Sequence, residues 1–178
     1  MAQPPGFSQP IDALLAVQNC LLNFGILNEA GTVTHDPEIF LGDEGVGGVI
    51  DCCPNGIQRI ESTGELPSQG LPLTLGKHGC IELTMGIRVT FLVCFKTATK
   101  AGTVVTNPAD LAYTRTIQAS RWEAIETLRC CTDSKARQSL KFVNSSPIGS
   151  DGKCSGWQID LQAALALCND CSDVIQPS

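Results

Sequence analysis

The sequence predicts an α+β fold, an antiparallel or mixed β-sheet with two helices packed on one face. Three observations lead there. The stretch "IELTMGIRVTFLVCF" places Ile81, Leu83, Met85, Ile87, Val89, Phe91, Val93 and Phe95 at every second position, with Glu82, Thr84, Arg88, Thr90 and Lys96 among the residues between. Period two marks a strand with one buried face and one wet face. A capped amphipathic helix follows it and another amphipathic helix opens the chain, so helices separate runs of strands and do not alternate with them one for one.

Taken in order, residues 10 to 24 form the first helix. Ile11, Leu14, Leu15, Leu21 and Leu22 share helical spacing, Ser8 lies near the N-cap and Pro10 in the first turn, where a missing N–H does no harm. The stretch "FGILNEAGTVTHDPEIFLGDEGVGGVI" is punctuated by Gly, Asn, Asp and Pro and reads as loop, with at most a short strand before the segment near Val49 to Cys53. A Pro54-Asn55-Gly56 turn leads into a strand at Ile57 to Ser62. The long strand near Ile81 to Phe95 is about three times the usual length, so it is expected to bend at Gly86 or to extend from the body of the domain as an arm.

The second helix opens at Asn107 as N-cap, with Pro108 at the first helical position and Asp110 three residues past the cap. Leu111, Ile117, Trp122, Ile125 and Leu128 are its expected apolar stripe. Two strands close the chain, "SLKFVN" and "CSGWQIDLQAALAL", joined by a loop ending in Asp151-Gly152. The second alternates Trp157, Ile159, Leu161, Ala163 and Leu165 against Gln158, Asp160 and Gln162.

With 178 residues, 43% of them hydrophobic, the chain can bury one good core, which argues for a single domain. Its expected parts are a flexible leader over 1–9, an α+β core over 10–168 and a C-terminal tail over 169–178. Twelve basic against 18 acidic residues give a net charge of −6. Without a basic stripe and with few aromatics, the chain lacks the footprint of a nucleic-acid binder. No stretch approaches the roughly 18 apolar residues of a membrane span, and "MAQPPGFSQP" has neither the basic nor the apolar region of a secretory signal, so a cytoplasmic protein is expected and Asn144 in "NSS" reads as an accidental glycosylation match.

Catalytic chemistry finds little purchase. His35 in "THDP" and His78 in "GKHGC" sit in turn contexts with no Ser or Cys locally paired to either. The Gly-rich "GDEGVGGVI" lacks the spacing of a phosphate cradle, leads into a strand instead of a helix, and carries Asp43 and Glu44, which repel phosphate. Glu123 and Glu126 have the spacing of a solvated helix face. No catalytic, cofactor-binding or metal-ligating residue is assigned.

The ten cysteines admit four readings. A disulfide framework calls for an oxidising compartment, to which no signal directs the chain. A zinc site would draw on the single Cys-x-x-Cys pair, Cys168 and Cys171, with Cys80 and His78; the adjacent pairs Cys52-Cys53 and Cys130-Cys131 have the wrong spacing. Thioredoxin-like chemistry needs the pair at a helix N-terminus, whereas Cys168 follows a strand, with Asp170 and Asp173 disfavouring thiolate. The expectation is therefore reduced cysteines serving as small apolar residues, Cys20 in the first helix and Cys94 in the long strand among them.

In element order and local flavour the segments "PIDALLAVQNCLLNFGIL", "GIRVTFLVCF", "ASRWEAIETL" and "GKCSGWQIDLQAAL", spanning residues 8 to 168, resemble a tail terminator protein of a long-tailed bacteriophage, with head-tail connector and stopper proteins as near neighbours. The cysteines and the stretch from Gly31 to Gly48 belong to no pattern of that family. The resemblance implies a structural virion protein and not an enzyme: a homo-oligomer in a hexameric ring on the head-proximal end of the tail tube. Its partners would be the tail tube protein and the connector or stopper, with DNA passing through an acidic lumen without specific binding and no membrane involved. Assembly would occur in the host cytoplasm. A ring of this kind joins unlike patches head to tail, and the long strand was the expected arm for pairing with a neighbour's sheet. The alternative from a different class is a small cytosolic binding domain stabilised by metal on its cysteines.

Overall fold

A computed structural model describes residues 6–22, 38–40, 52, 56–67, 81–94, 108–131, 134–151 and 154–167. The elements run α1 (Pro10–Leu21), β1 (Glu38–Phe40), β2 (Ile57–Pro67), β3 (Ile81–Cys94), α2 (Pro108–Arg129), α3 (Ser134–Ser139), β4 (Leu140–Asp151) and β5 (Cys154–Leu167). They form an α+β fold. The sheet order is β1-β2-β3-β5-β4. In the run β2, β3, β5, β4 each strand is antiparallel to the next, and the three-residue β1 adds in parallel to β2.

β3 lies at the centre because period two gives it a fully apolar face. Met85, Ile87, Val89, Phe91 and Val93 are buried, and the matching face of β5 buries Trp157, Ile159, Leu161, Ala163 and Leu165. α1 packs against β1, β2 and α2, and α2 packs against β5, so these helices share the apolar face. The core also takes Ala13, Leu14, Val17 and Leu21 from α1 and Ile117 and Ala124 from α2. Trp157 ties the two layers together. Its ring stacks on Phe91 with centroids 5.3 Å apart, while its Nε1 donates to Ser120 Oγ on α2 at 2.9 Å and Ser120 Oγ donates to the Ile117 carbonyl.

The strand expected to project as an arm is paired on both sides: β2 runs along Leu83 to Leu92, and β5 along the whole of Ile81 to Cys94. Its length is used in the middle of the sheet, where both ladders are satisfied. Opposite Gly86, the expected site of a bend, the irregularity lies on the partner strand. The register slips on β2 between Ser62 and Gly64, and the Oγ1 of the extra residue, Thr63, lies 2.2 Å from where a Cβ on Gly86 would sit. Gly64, just past the slip, has φ +121°, a conformation that side-chain-bearing residues adopt only under strain.

Other boundaries differ for local reasons. The N-cap of α1 is Gln9, with no side-chain cap bond; Ser8 Oγ instead donates to Asp12 Oδ2 at 3.1 Å. Leu22 is the C-cap, and residues 23 and 24 lie outside the described residues, as does the expected cap Asn107. Phe7, expected in a flexible leader, is buried. Its N–H donates to Ala164 O at 2.9 Å and its carbonyl accepts from the Ala166 N–H at 2.8 Å. It continues the sheet beside β5 past the start of β4, where β5 would otherwise expose unpaired groups. α3 was not expected; six residues are too few to show a period.

α2 forms where its caps place it but faces differently. Ile117, Ser120 and Ala124 are buried, whereas Leu111 and Trp122 are 42% and 59% exposed. At 100° per residue, Leu111 and Trp122 fall more than 100° from the Ile117–Ala124 line, so one stripe cannot hold them all.

Candidate functional site

The polar face of the sheet is internally neutralised. Glu61, Arg88, Asp160 and Asn144 are register partners across β2, β3, β5 and β4. Arg88 Nε donates to Asp160 Oδ1 at 2.8 Å, and Arg59 Nε lies 3.1 Å from Glu61 Oε2. Opposite charges in adjacent positions stabilise the pairing of strands. They leave no group in the row with the arrangement of a nucleophile beside a base.

An apolar cleft opens on the other face, at the sheet edge. α2 covers β5 and leaves β4 bare, so Ile125 and Leu128 of α2, Ala136 of α3, Leu140 and Phe142 of β4 and Leu161 of β5 surround a cavity of about 350 Å³. Phe142 is 53% exposed, and Val143 beside it 51%; Val143 is the extra residue where the register with β5 slips between Phe142 and Asn144. Arg129 stands at the rim, its Nε donating to Glu126 Oε2 at 3.2 Å and its NH2 to Oε1. This guanidinium, through hydrogen bonds first and charge second, holds the Glu126 carboxyl below the usual carboxylate range, and the Cys130 thiol adds a weaker bond. Seven-residue spacing puts Trp122 on the same line of α2 as Arg129. The Arg121 guanidinium lies 5.1 Å from the Trp122 ring centroid. Sequence reasoning missed this cleft, because its walls come from four successive elements, α2 to β5, that only the folded sheet edge brings face to face.

The cysteines correct the expectation of reduced thiols. Cys20 is bonded to Cys131, with Cα atoms 5.4 Å apart, and Cys52 to Cys154, at 5.9 Å. Cys94, the register partner of Cys154, is disulfide-bonded as well. The fold brings these residues into bridging range from opposite ends of the chain, a proximity that spacing along the sequence does not reveal. The first bond fastens the end of α1 to the second residue after α2, and the second fastens the approach to β2 to the start of β5. Cys130 is a free, exposed thiol.

His35, His78, the run from Gly42 to Gly48, Cys53, Cys80, Cys168 and Cys171 lie outside the described residues. Glu123 and Glu126 are exposed on α2, as the sequence suggested, and Asn144 is exposed on β4. Among the described residues no group of His, Cys, Asp or Glu is arranged to hold a metal, and no helix is long and apolar enough to cross a membrane. No protein-family model matches the chain, and no curated protein matches it in sequence.

Proposed function

We propose that the chain is a structural subunit of a phage neck, a tail terminator that closes into a ring on the head-proximal end of the tail tube, stops its growth and offers the surface to which the head docks. The observation that carries this reading is the order and layering of the elements: a helix, three strands, a long helix and a final pair of antiparallel strands, with α1 and α2 on one face of the sheet. That is the order on which the sequence resemblance rests. The exposed cleft beside β4 supports it further, since a ring subunit needs apolar surface that the isolated subunit leaves uncovered.

The disulfides favour this reading over a metal-stabilised cytosolic adaptor. A virion leaves the reducing cytoplasm and persists outside the cell, where disulfides endure. In the adaptor, by contrast, the sulfurs of Cys20, Cys52, Cys94, Cys131 and Cys154 are already bonded to sulfur. The connector or stopper differs from the terminator in its partner, not in its need for a ring. Negative-stain imaging and light scattering of the purified chain, alone and with the tail tube protein, test the proposal. Rings that cap tubes are expected. A chain that stays monomeric in the presence of tubes, and leaves their length unchanged, overturns it.

A further inference from the structure

Cys94 closes β3 and is disulfide-bonded, yet none of the other described cysteines is its partner. Cys20 is bonded to Cys131 and Cys52 to Cys154, while Cys130 is free. Of the ten cysteines in the chain, that leaves Cys53, Cys80, Cys168 and Cys171, all outside the described residues, and chain connectivity decides among them. Cys80 immediately precedes Ile81, at the far end of β3. At about 3.3 Å per residue, the strand from Ile81 to Cys94 spans about 43 Å. Cys168 follows Leu167, the register partner of Ile81, so the chain ties it to that same far end. Cys171 comes four residues after Leu167, a reach of at most about 14 Å. A disulfide holds its two Cα atoms about 4.4–6.8 Å apart, so the length of β3 keeps all three from Cys94.

We infer that Cys53 is the partner of Cys94. Cys94 and Cys154 are cross-strand partners, so their side chains stand on the same face of the sheet, with Cα atoms about 4.5–5.5 Å apart. The bond to Cys154 brings the Cα of Cys52 to 5.9 Å from that of Cys154, and Cys53 follows Cys52 at one peptide unit, about 3.8 Å. The Cys52-Cys53 dipeptide thus meets two sulfurs standing side by side, and each takes one. Forming the Cys53–Cys94 bond removes two electrons and two protons from two thiols; a small-molecule disulfide accepts them and leaves as two thiols. The result is a clamp of four cysteines that fastens the end of β3 and the start of β5 to the approach to β2. Nothing in this pairing depends on the ring reading.

Digestion of the alkylated, non-reduced full chain with trypsin and Asp-N separates the alternatives. It places Cys52 and Cys53 in 51–59, Cys80 in 78–88, Cys94 in 89–96, Cys154 in 154–159, Cys168 in 160–169 and Cys171 in 170–172. Mass spectrometry is expected to find 51–59, 89–96 and 154–159 joined as one species, with fragmentation between Cys52 and Cys53 assigning 154–159 to Cys52 and 89–96 to Cys53. In Cys53→Ser, 89–96 is expected to be alkylated and 51–59 to be joined to 154–159 alone; should that variant not fold, the wild-type map decides by itself. Peptide 89–96 joined to 78–88, 160–169 or 170–172, alkylated in the wild type, or assigned to Cys52 overturns the pairing.

Discussion

Replacing Cys52 and Cys154 together by alanine removes one covalent link and little packing, since alanine keeps the apolar character of the buried Cys52 site. The magnitude follows from the connectivity. Taken alone, a bond at a sequence separation of 102 removes about 4.7 kcal/mol of chain entropy from the unfolded state. With Cys20–Cys131 intact the remaining loop is shorter. It runs over the approximately 32 residues from Cys20 to Cys52 and the approximately 23 from Cys131 to Cys154, about 55 in all, for which the same relation gives about 4 kcal/mol. The disulfide at Cys94 constrains the same chain, which makes this an upper figure. For a domain of this size, each kcal/mol shifts the melting temperature by about 2–4 °C, so a fall of about 8–16 °C is the largest expected. Thermal unfolding of the non-reduced wild type and of the double variant measures it, with peptide mapping to confirm the bond. An unchanged midpoint, or free thiols at both positions in the wild type, would refute the covalent reading.

Other changes probe other parts of the fold. Gly156→Ala would place a Cβ 1.8 Å from the Phe91 carbonyl oxygen, which β3 and β5 can relieve only by parting; a loss of more than about 4 kcal/mol, or failure to fold, is expected, and a soluble variant with unchanged melting would contradict the register. Ser120→Ala strips the buried Trp157 Nε1 of its acceptor and should cost about 1–3 kcal/mol by urea titration; no change would mean that the tie between α2 and β5 is not made in solution. Glu126 should titrate by NMR below the ordinary carboxylate range and move up in Arg129→Ala, given the cause of its shift. Because its folded pKa is depressed, what the pair adds to stability is present at neutral pH and lost as pH falls through the carboxylate range; a midpoint indifferent to Arg129 would contradict it.

Much of this architecture is legible in the sequence wherever burial and period coincide. β3 and β5 alternate strictly because one face of each packs under the helices, and every odd-numbered residue from Met85 to Val93 and from Trp157 to Leu165 is buried. Pro108 and the apolar content of the following segment announce α2, but not its facing: Trp122 is apolar yet lies on the exposed side of the helix, beside the Arg121 guanidinium. β1 is three residues whose strand pairing is with β2, too short for any pattern. The pairing of the cysteines stayed hidden for a different reason. Bonding depends on which parts of the chain meet in the fold, and Cys20 meets Cys131 because the C-terminal ends of α1 and α2 converge. The cleft, assembled from α2, α3, β4 and β5, has no local trace in any of them.

What can add to the sheet is constrained by what its edge forbids. β4 is the edge strand beside β5, and an edge with free N–H and C=O groups invites another strand. This edge is guarded: Lys141 is exposed on it, the slip between Phe142 and Asn144 interrupts its register, and Pro147, which has no N–H to offer, follows within four residues. Each of these disfavours a continuous added ladder. β3, the strand that sequence reasoning offered as an arm, has both edges occupied. With strand addition disfavoured at β4 and excluded at β3, any contact on this side of the molecule falls to side chains, and the interruption leaves both Phe142, at the cleft, and Val143 exposed. The feature that protects the edge from unregulated pairing thus leaves apolar side chains exposed along it.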